Sequence, residues 1–317
     1  MTMHLVTGGA GFIGSHLVHA LVARRKQVRV LDNLATGRLK NLEGVNDSIE
    51  FVTGDIRDLD TCRKAMRGVR FVLHQAALSS VPRSLADPLS TSAVNVQGTL
   101  NLLIAAREEG VKRFVFASSS SVYGDPPTLP KTETMTPDPH SPYAVSKLAG
   151  EQLCRVFARA DGLPTISLRY FNVYGPRQDQ DSPYAAVIPR FIMHCLKDTT
   201  ATIFGDGAQS RDFTYVTDCV AANLLACETE SCQGEICNVG SGVRVTIADL
   251  HALIRRIVGA GSPPQYDAPR VGDVKHSLAG ISRAKSFLGY EPGVSLETGL
   301  AQTVEWVRTA EVMATPA

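Results

Sequence analysis

The chain has 317 residues, of which 44% are hydrophobic and 20% charged, enough apolar material for a buried core spread over about two domains or lobes. Thirty-two Lys and Arg against 31 Asp and Glu leave a net charge of +1, which argues against a nucleic-acid binder that works by neutralising phosphates. No uninterrupted apolar run approaches the ~18 residues of a membrane span, and Met1 to Thr7 leads straight into glycines without the pattern of a cleaved leader, so a cytoplasmic protein is expected. The seven cysteines form no C-x-x-C pair. The evenly spaced Cys227, Cys232 and Cys237 lack the tight pairs and flanking histidines of a structural metal site, so free thiols and no metal are expected.

In chain order, Leu5 to Thr7 reads as a strand, 11–24 as a helix and Val28 to Leu31 as a second strand. Ile49 to Val52 makes a third strand, 58–67 a short helix and Val69 to His74 a fourth strand. Pro88 to Glu109 reads as one long helix, with Asp87 as N-cap and proline in the first turn. Phe114 to Phe116 is a buried strand, 141–160 a helix and Thr165 to Leu168 the next strand. This alternation predicts an α/β fold with a doubly wound parallel sheet. After Tyr170 the strands shorten, and helices are expected near 185–196, 217–228, 246–258 and 295–307, the third opened by Thr246 and Asp249 in the spacing of a capping box. This half reads as a smaller interleaved α/β lobe, with a ligand cleft between it and the carboxyl ends of the strands.

Between the first strand and first helix lies Thr7-Gly8-Gly9-Ala10-Gly11-Phe12-Ile13-Gly14. Glycines at 8, 11 and 14 permit a tight turn and a close pyrophosphate, and they bring helix against strand; the helix N-terminus then faces the phosphates. A glycine triplet alone is a weak signal, and its position after the first strand makes it meaningful here. Asp32 ends the second strand, where a carboxylate accepts from a ribose 2′-hydroxyl and repels a 2′-phosphate, pointing to NAD over NADP. The alternative is a strand-ending Asp32-Asn33 turn. Asp55 and Ile56 follow the third strand, placed to meet the adenine end.

Tyr143 and Lys147 stand four apart on one helix face. A lysine there is expected to lower the tyrosine pKa, and a phenolate is a competent base for a sugar hydroxyl. The preceding strand ends in Ser118-Ser119-Ser120-Ser121, which can offer a hydroxyl to a reacting oxygen.

The glycine triplet, Asp32, His74-Gln75-Ala76-Ala77, Asn95, the serine cluster, Tyr-x-x-x-Lys and Arg169-Tyr170-Phe171-Asn172-Val173-Tyr174-Gly175-Pro176 occur in that order. Together they resemble the extended short-chain dehydrogenases/reductases, in particular the NAD-dependent nucleotide-sugar epimerases and dehydratases, from Met1 to about Val307. The resemblance implies an NAD-binding Rossmann unit over 1–169 with a returning segment near 214–240, and a UDP-sugar lobe over most of 170–317. It implies Ser119, Tyr143 and Lys147 as catalytic residues, with Asn95 supporting the lysine through water. Gln75, Ala76, Ala77 and Tyr170 would join Phe12, Ile13 and Asn33 around the cofactor. Asn172, Arg211, Arg270 and Asp273 would hold the nucleotide diphosphate and ribose, an arginine fork suiting a diphosphate. Taken from the residues alone, Arg211 could instead pair with Asp212 at the surface. Gln178, Ala186, Val187 and Phe204 would border the nucleotide, and Ser79, Ser80 and Ser120 the sugar.

Dehydratases and decarboxylases of this family usually carry a glutamate two before the Tyr123-Gly124 landmark, sometimes with an aspartate before it. Here those positions are Ser121 and Ser120, which supply no acid for a leaving hydroxyl. An epimerase is the expectation, acting at C4 of a UDP-hexose. The segments 78–84, 184–189 and 272–277 look most like UDP-N-acetylglucosamine 4-epimerases, with UDP-glucose/UDP-galactose activity also compatible. By resemblance Ser277, four after Asp273, gates the size of the sugar. A UDP-hexuronic acid 4-epimerase is the alternative enzyme, and a non-catalytic NAD-binding regulator the alternative class. A homodimer through the helices at 88–109 and 141–160 is expected by analogy.

Overall fold

The computed structural model describes residues 2–179, 186–230, 232–269 and 274–314. Its centre is a seven-stranded sheet, ordered β3-β2-β1-β4-β5-β6-β7, in which every neighbouring pair runs parallel. The strands are β1 (Met3–Thr7), β2 (Gln27–Asp32), β3 (Ile49–Thr53), β4 (Val69–His74), β5 (Arg113–Ser119), β6 (Thr165–Tyr170) and β7 (Glu235–Val239).

Both faces of the sheet are covered, which is why its strands read as nearly continuous apolar runs. Successive residues alternate between two cores. Val6, Val30, Leu73, Val115 and Leu168 meet helix α1 (Phe12–Ala23), through Leu17 and Leu21, and helix α5 (Val216–Glu228), through Cys219 and Leu224. Leu5, Leu31, Val72, Phe114 and Phe116 meet α2 (Leu59–Met66), α3 (Gly98–Glu109) and α4 (Pro142–Asp161) on the other face. A third core, with Ile188, Phe191, Ile203, Leu250, Ile254 and Leu300, fills the second lobe. All seven cysteines are buried free thiols. Among the described residues no group of three or more His, Cys, Asp and Glu side chains gathers as a metal would require, and no helix is long and apolar enough to cross a membrane.

The long helix expected over Pro88 to Glu109 is interrupted. Asp87 does cap it, accepting from the Ser90 amide at 3.0 Å, but an α turn over Pro88–Ser92 passes into a π turn over Ala93–Gln97 before α3 begins. A π turn takes one extra residue while keeping the helix axis, so an apolar periodicity does not reveal it. The serine cluster lies at the carboxyl end of β5, as expected, with Ser118 and Ser119 its last two residues and Ser120 and Ser121 in the turn that follows. The expected cap at Thr246 is present, its hydroxyl accepting from the Asp249 amide at 3.0 Å.

Candidate active site

Strand order reverses between β1 and β4, and in doubly wound sheets the crevice opens there, beyond the carboxyl ends. The turns leaving those strands are stitched together: the Gln75 amide donates to the Thr7 carbonyl at 3.1 Å, and the Gly8 amide to that of Leu31 at 2.8 Å. A cleft of 380 Å³ follows, walled by the glycine loop, Asp32, Asn33, Asp55, Ile56, Gln75 to Ser79, Tyr143, Lys147 and Tyr170.

A side chain at Gly14 would bring its Cβ within 2.1 Å of the Gly8 carbonyl oxygen, so the start of α1 can rest on the loop only as glycine. Gly11 is glycine for another reason. A Cβ there would meet only the Gly8 carbonyl, at 3.1 Å, and Gly11 lines the cleft, so the missing methyl is room for a ligand. Gly11 is also the N-cap of α1 without a side-chain cap, leaving the first-turn amides of Phe12, Ile13 and Gly14 facing the cleft with no acidic side chain in that turn. Such an end suits a pyrophosphate. The residues present therefore fit a dinucleotide.

Asp32 is buried, and its two oxygens accept from the Ala10 amide at 2.9 Å and the Leu34 amide at 2.8 Å. One carboxylate thus ties the glycine loop to the end of β2 and keeps acceptor capacity toward the cleft. Asp55 is gripped by Arg57 through two bonds of 3.0 and 2.7 Å and by Asn33 at 2.9 Å. The Arg57 hydrogen bonds hold its carboxyl down to about 2.

Helix α4 starts at Ser141, whose hydroxyl accepts from the Ala144 amide at 3.2 Å, and it brings Tyr143 and Lys147 against the end of β5. Lys147 is buried and donates to the Ala117 carbonyl at 2.8 Å, its Nζ 5.1 Å from the centre of the Phe116 ring and 5.9 Å from that of Tyr143. Burial pulls its pKa down to about 8. The expected lowering of the Tyr143 pKa by this lysine is not what the ligand-free chain displays. Burial raises the phenol pKa, and the opposing influence is a hydrogen bond with Ser119. The physical reason is that withdrawal of the phenol from water outweighs the attraction of an ammonium 5.9 Å from the ring centre. Asn95 sits in the π turn. Its Oδ1 accepts from the Leu78 amide at 2.8 Å, and its Nδ2 donates to the Leu78 carbonyl at 3.2 Å and to Ser146 Oγ at 3.0 Å. It thus braces the residue beside Lys147.

A second cleft of 660 Å³ opens in the smaller lobe, lined by Asn172, Gln178, Ala186, Val187, Phe204 and Arg211, with Pro82 reaching in from the sheet unit. Asn172 adopts a left-handed backbone (φ 33°) and donates to the Asp212 carbonyl at 2.8 Å. Arg211 turns away from Asp212, whose carboxylate is occupied by Ser241, Gly242 and the Ala279 amide, and donates to the carbonyls of Ser210 and Lys275. Ser277 is 5% exposed, its amide bonded to the Ser210 carbonyl at 2.9 Å. Ser80 caps the helix Val81–Ala86, and Ser120 opens a short 3₁₀ turn. Arg270 and Asp273 lie outside the described residues.

Three further residues shape the site. Glu151, four beyond Lys147 on α4, accepts from Ser118 Oγ at 2.5 Å and from Arg169 through two bonds of 2.7 Å, in a pair 0% and 2% exposed. Arg169 in turn lies 4.6 Å from the centre of the Tyr123 ring. Asn223 on α5 holds Tyr170 and Gln75 at the inner end of the first cleft. An arginine inside an apolar strand was the available signal for the first pair, because a buried guanidinium requires a buried carboxylate. Asn223 carried no comparable signal.

The model of the NAD dependent epimerase/dehydratase family matches residues 4–240. A UDP-glucose 4-epimerase of Mycolicibacterium smegmatis is 42% identical over 308 residues, 96% of this chain and 98% of that protein. Among solved structures, a UDP-N-acetylglucosamine 4-epimerase from Methanobrevibacter ruminantium in complex with UDP-N-acetylmuramic acid superposes with a TM-score of 0.94 at 40% identity, covering 98% of this chain and 99% of that one. A Thermotoga maritima UDP-glucose 4-epimerase with UDP-glucose gives 0.93 at 40% identity, covering 98% and 100%. A dinucleotide cleft at the switch point, a second cleft beside it and a family match over most of the chain lead to one conclusion: the chain belongs to the NAD dependent epimerase/dehydratase family.

Proposed function

We propose that the chain catalyses reversible, NAD-dependent inversion at C4 of a UDP-hexose, UDP-GlcNAc/UDP-GalNAc foremost and UDP-Glc/UDP-Gal as well. The relatives named above are UDP-sugar 4-epimerases. The observation that carries the reading is local: a buried Tyr143 phenol under the influence of Ser119, with Ser120 and Ser121 where elimination of water would need an acid. The neighbouring carboxylate, Glu151, is committed to Arg169 and Ser118. When bound, NAD supplies a reversible hydride acceptor for C4.

The glycine loop, the first turn of α1 and Asp32 hold the dinucleotide, and the acceptor capacity of Asp32 favours a free 2′-hydroxyl. Tyr143 takes the proton of the 4-hydroxyl, making the C4–O bond a carbonyl as C4–H leaves, and returns the same proton on reversal. Ser119 hydrogen-bonds O4 and keeps it on the phenol. The Lys147 ammonium stabilises the phenolate form that this transfer needs, and Asn95 and Ser146 keep the lysine's turn of α4 in place. Asn172 and Arg211, with Arg270 and Asp273, hold the UDP while the 4-keto sugar swings to present its other face. The sheet unit, 1–169 with the returning 214–240, then carries the cofactor and most of 170–317 carries the nucleotide.

A homodimer is supported by apolar side chains left exposed on Val81–Ala86, Pro88–Ser92 and α4: Leu85, Leu89, Val145 and Val156, with Leu89 82% exposed. The seven free thiols support a cytoplasmic setting. The deciding experiment is Tyr143→Phe, which should cut C4 inversion about 10²–10⁴-fold while NAD and UDP still bind. Turnover near that of the unaltered enzyme would move the base to Ser119 or water and defeat the assignment.

A further inference from the structure

A chain of hydrogen bonds between buried side chains runs under the cofactor cleft, and each of its protons can be placed. Thr99 Oγ1 donates to the Asn95 carbonyl at 2.6 Å; a carbonyl only accepts, so the Thr99 proton is committed there. His74 Nε2, 2.9 Å from the same Oγ1, must therefore be the donor of that contact. His74 is buried, and desolvation, then the Lys147 charge, holds its pKa near 3, so the ring is neutral with Nδ1 bare. Nδ1 accepts from Thr7 Oγ1 at 2.7 Å, and Thr7 Oγ1 accepts in turn from the Ala76 amide at 3.4 Å.

Beyond Asn95 the order is equally determined. Its Nδ2 donates to Ser146 Oγ, and Ser146 Oγ donates to the Tyr143 carbonyl at 2.7 Å. Asn95 lies in the π turn Ala93–Gln97, a wider turn that persists only where its freed groups find partners. Its carbonyl accepts from the Thr99 hydroxyl, which ties this turn to His74.

We propose that His74, locked as the Nε2–H tautomer, is a positioning residue for Tyr143: through Thr99 it holds the π turn, and through Asn95 and Ser146 the π turn holds the Tyr143 backbone and so sets where the phenol lies beside Ser119. The inference rests on the reading of Tyr143 as the residue that exchanges a proton with the sugar. Its own signature is independent of turnover. Protein labelled with ¹⁵N-histidine should show His74 with the proton on Nε2, a bare Nδ1 and no titration between about pH 5 and pH 8. A proton on Nδ1, or a ring that titrates in that range, overturns the proposal whether or not any UDP-sugar is inverted.

The kinetic test uses Thr99, which touches neither cleft. Thr99→Val removes the hydroxyl and keeps the shape, whereas Thr99→Ser keeps the hydroxyl. With NAD bound, Thr99→Val should lower kcat about 10- to 100-fold with KM for the UDP-sugar within about twofold, the size of effect expected from a misplacement of about 1 Å. Thr99→Ser should restore kcat. His74→Gln, whose amide nitrogen can replace Nε2, should retain more kcat than His74→Asn, which keeps only the Thr7 side. Unchanged kcat in Thr99→Val, or a loss shared equally by kcat, KM and thermal midpoint that Thr99→Ser does not rescue, would show a merely structural role and overturn the proposal. Failure of the unaltered enzyme on every UDP-sugar would instead count against the epimerase reading, with the tautomer measurement standing apart.

Discussion

Replacing Lys147 by methionine should abolish activity and make the chain more stable. Lys147 is 4% exposed, and burial lowers its pKa from 10.5 to about 8. At about 1.4 kcal/mol for each tenfold change in proton affinity, the folded chain bears about 3 kcal/mol for keeping this group charged at neutral pH. Below about pH 8 folded and unfolded chains both carry the proton, and the cost is complete. Between about 8 and 10.5 the unfolded chain binds the proton and the folded one does not, so stability from this group rises with pH. Methionine fills the same stem volume without the charge. It forfeits the bond to the Ala117 carbonyl, worth about 1 kcal/mol, which leaves a net gain of about 2 kcal/mol at pH near 7. The assay is urea unfolding of the dinucleotide-free protein near pH 7 and again near pH 9.5, with epimerisation measured on the same preparations. Lys147→Met should gain stability, flatten the rise with pH and lose turnover. A variant less stable than the unaltered chain by about 1 kcal/mol or more, or one that keeps the rise with pH, would refute the view that this charge is held in the fold at a cost.

Ser277→Tyr fills a buried position beside the Ser210–Arg211 strand and should remove UDP-GlcNAc/UDP-GalNAc inversion while sparing UDP-Glc/UDP-Gal; equal effects on both pairs, read by coupled assay, would end its role as a size gate. Glu151→Ala strands the Arg169 guanidinium, 2% exposed, and should cost about 3–5 kcal/mol in denaturant unfolding; a loss below about 1 kcal/mol would mean that water reaches the pair. Asp32→Ala frees the Ala10 amide as well as the ribose contact and should weaken NAD binding by about 1–3 kcal/mol by calorimetry, and an unchanged affinity would remove Asp32 from the cofactor site.

The parallel sheet was legible because its strands are buried on both faces and its helices carry strong ends, such as Asp87 and Ser141 ahead of prolines. The glycine loop was legible because close approach leaves no chemical choice at Gly14. What stayed hidden depends on side chains meeting across elements. The π turn differs from α-helix by one residue, which shifts Asn95 toward Leu78 and Ser146 without altering the apolar pattern. Glu151 finds its partners only because β6 places Arg169 beside Ser118, which no spacing along the chain reveals. The direction of the Tyr143 shift was misjudged because spacing reveals a lysine four residues away and nothing about how deeply the phenol is buried.

The central claim is inversion at C4 with nothing removed from the sugar. The purified enzyme, given no added NAD, should convert UDP-GlcNAc carrying deuterium at C4 into UDP-GalNAc with the deuterium still at C4, followed by proton and deuterium NMR, and should do the same more weakly or equally for UDP-glucose. A 4-keto-6-deoxy product, loss of the label to water, or no inversion of either sugar would contradict it.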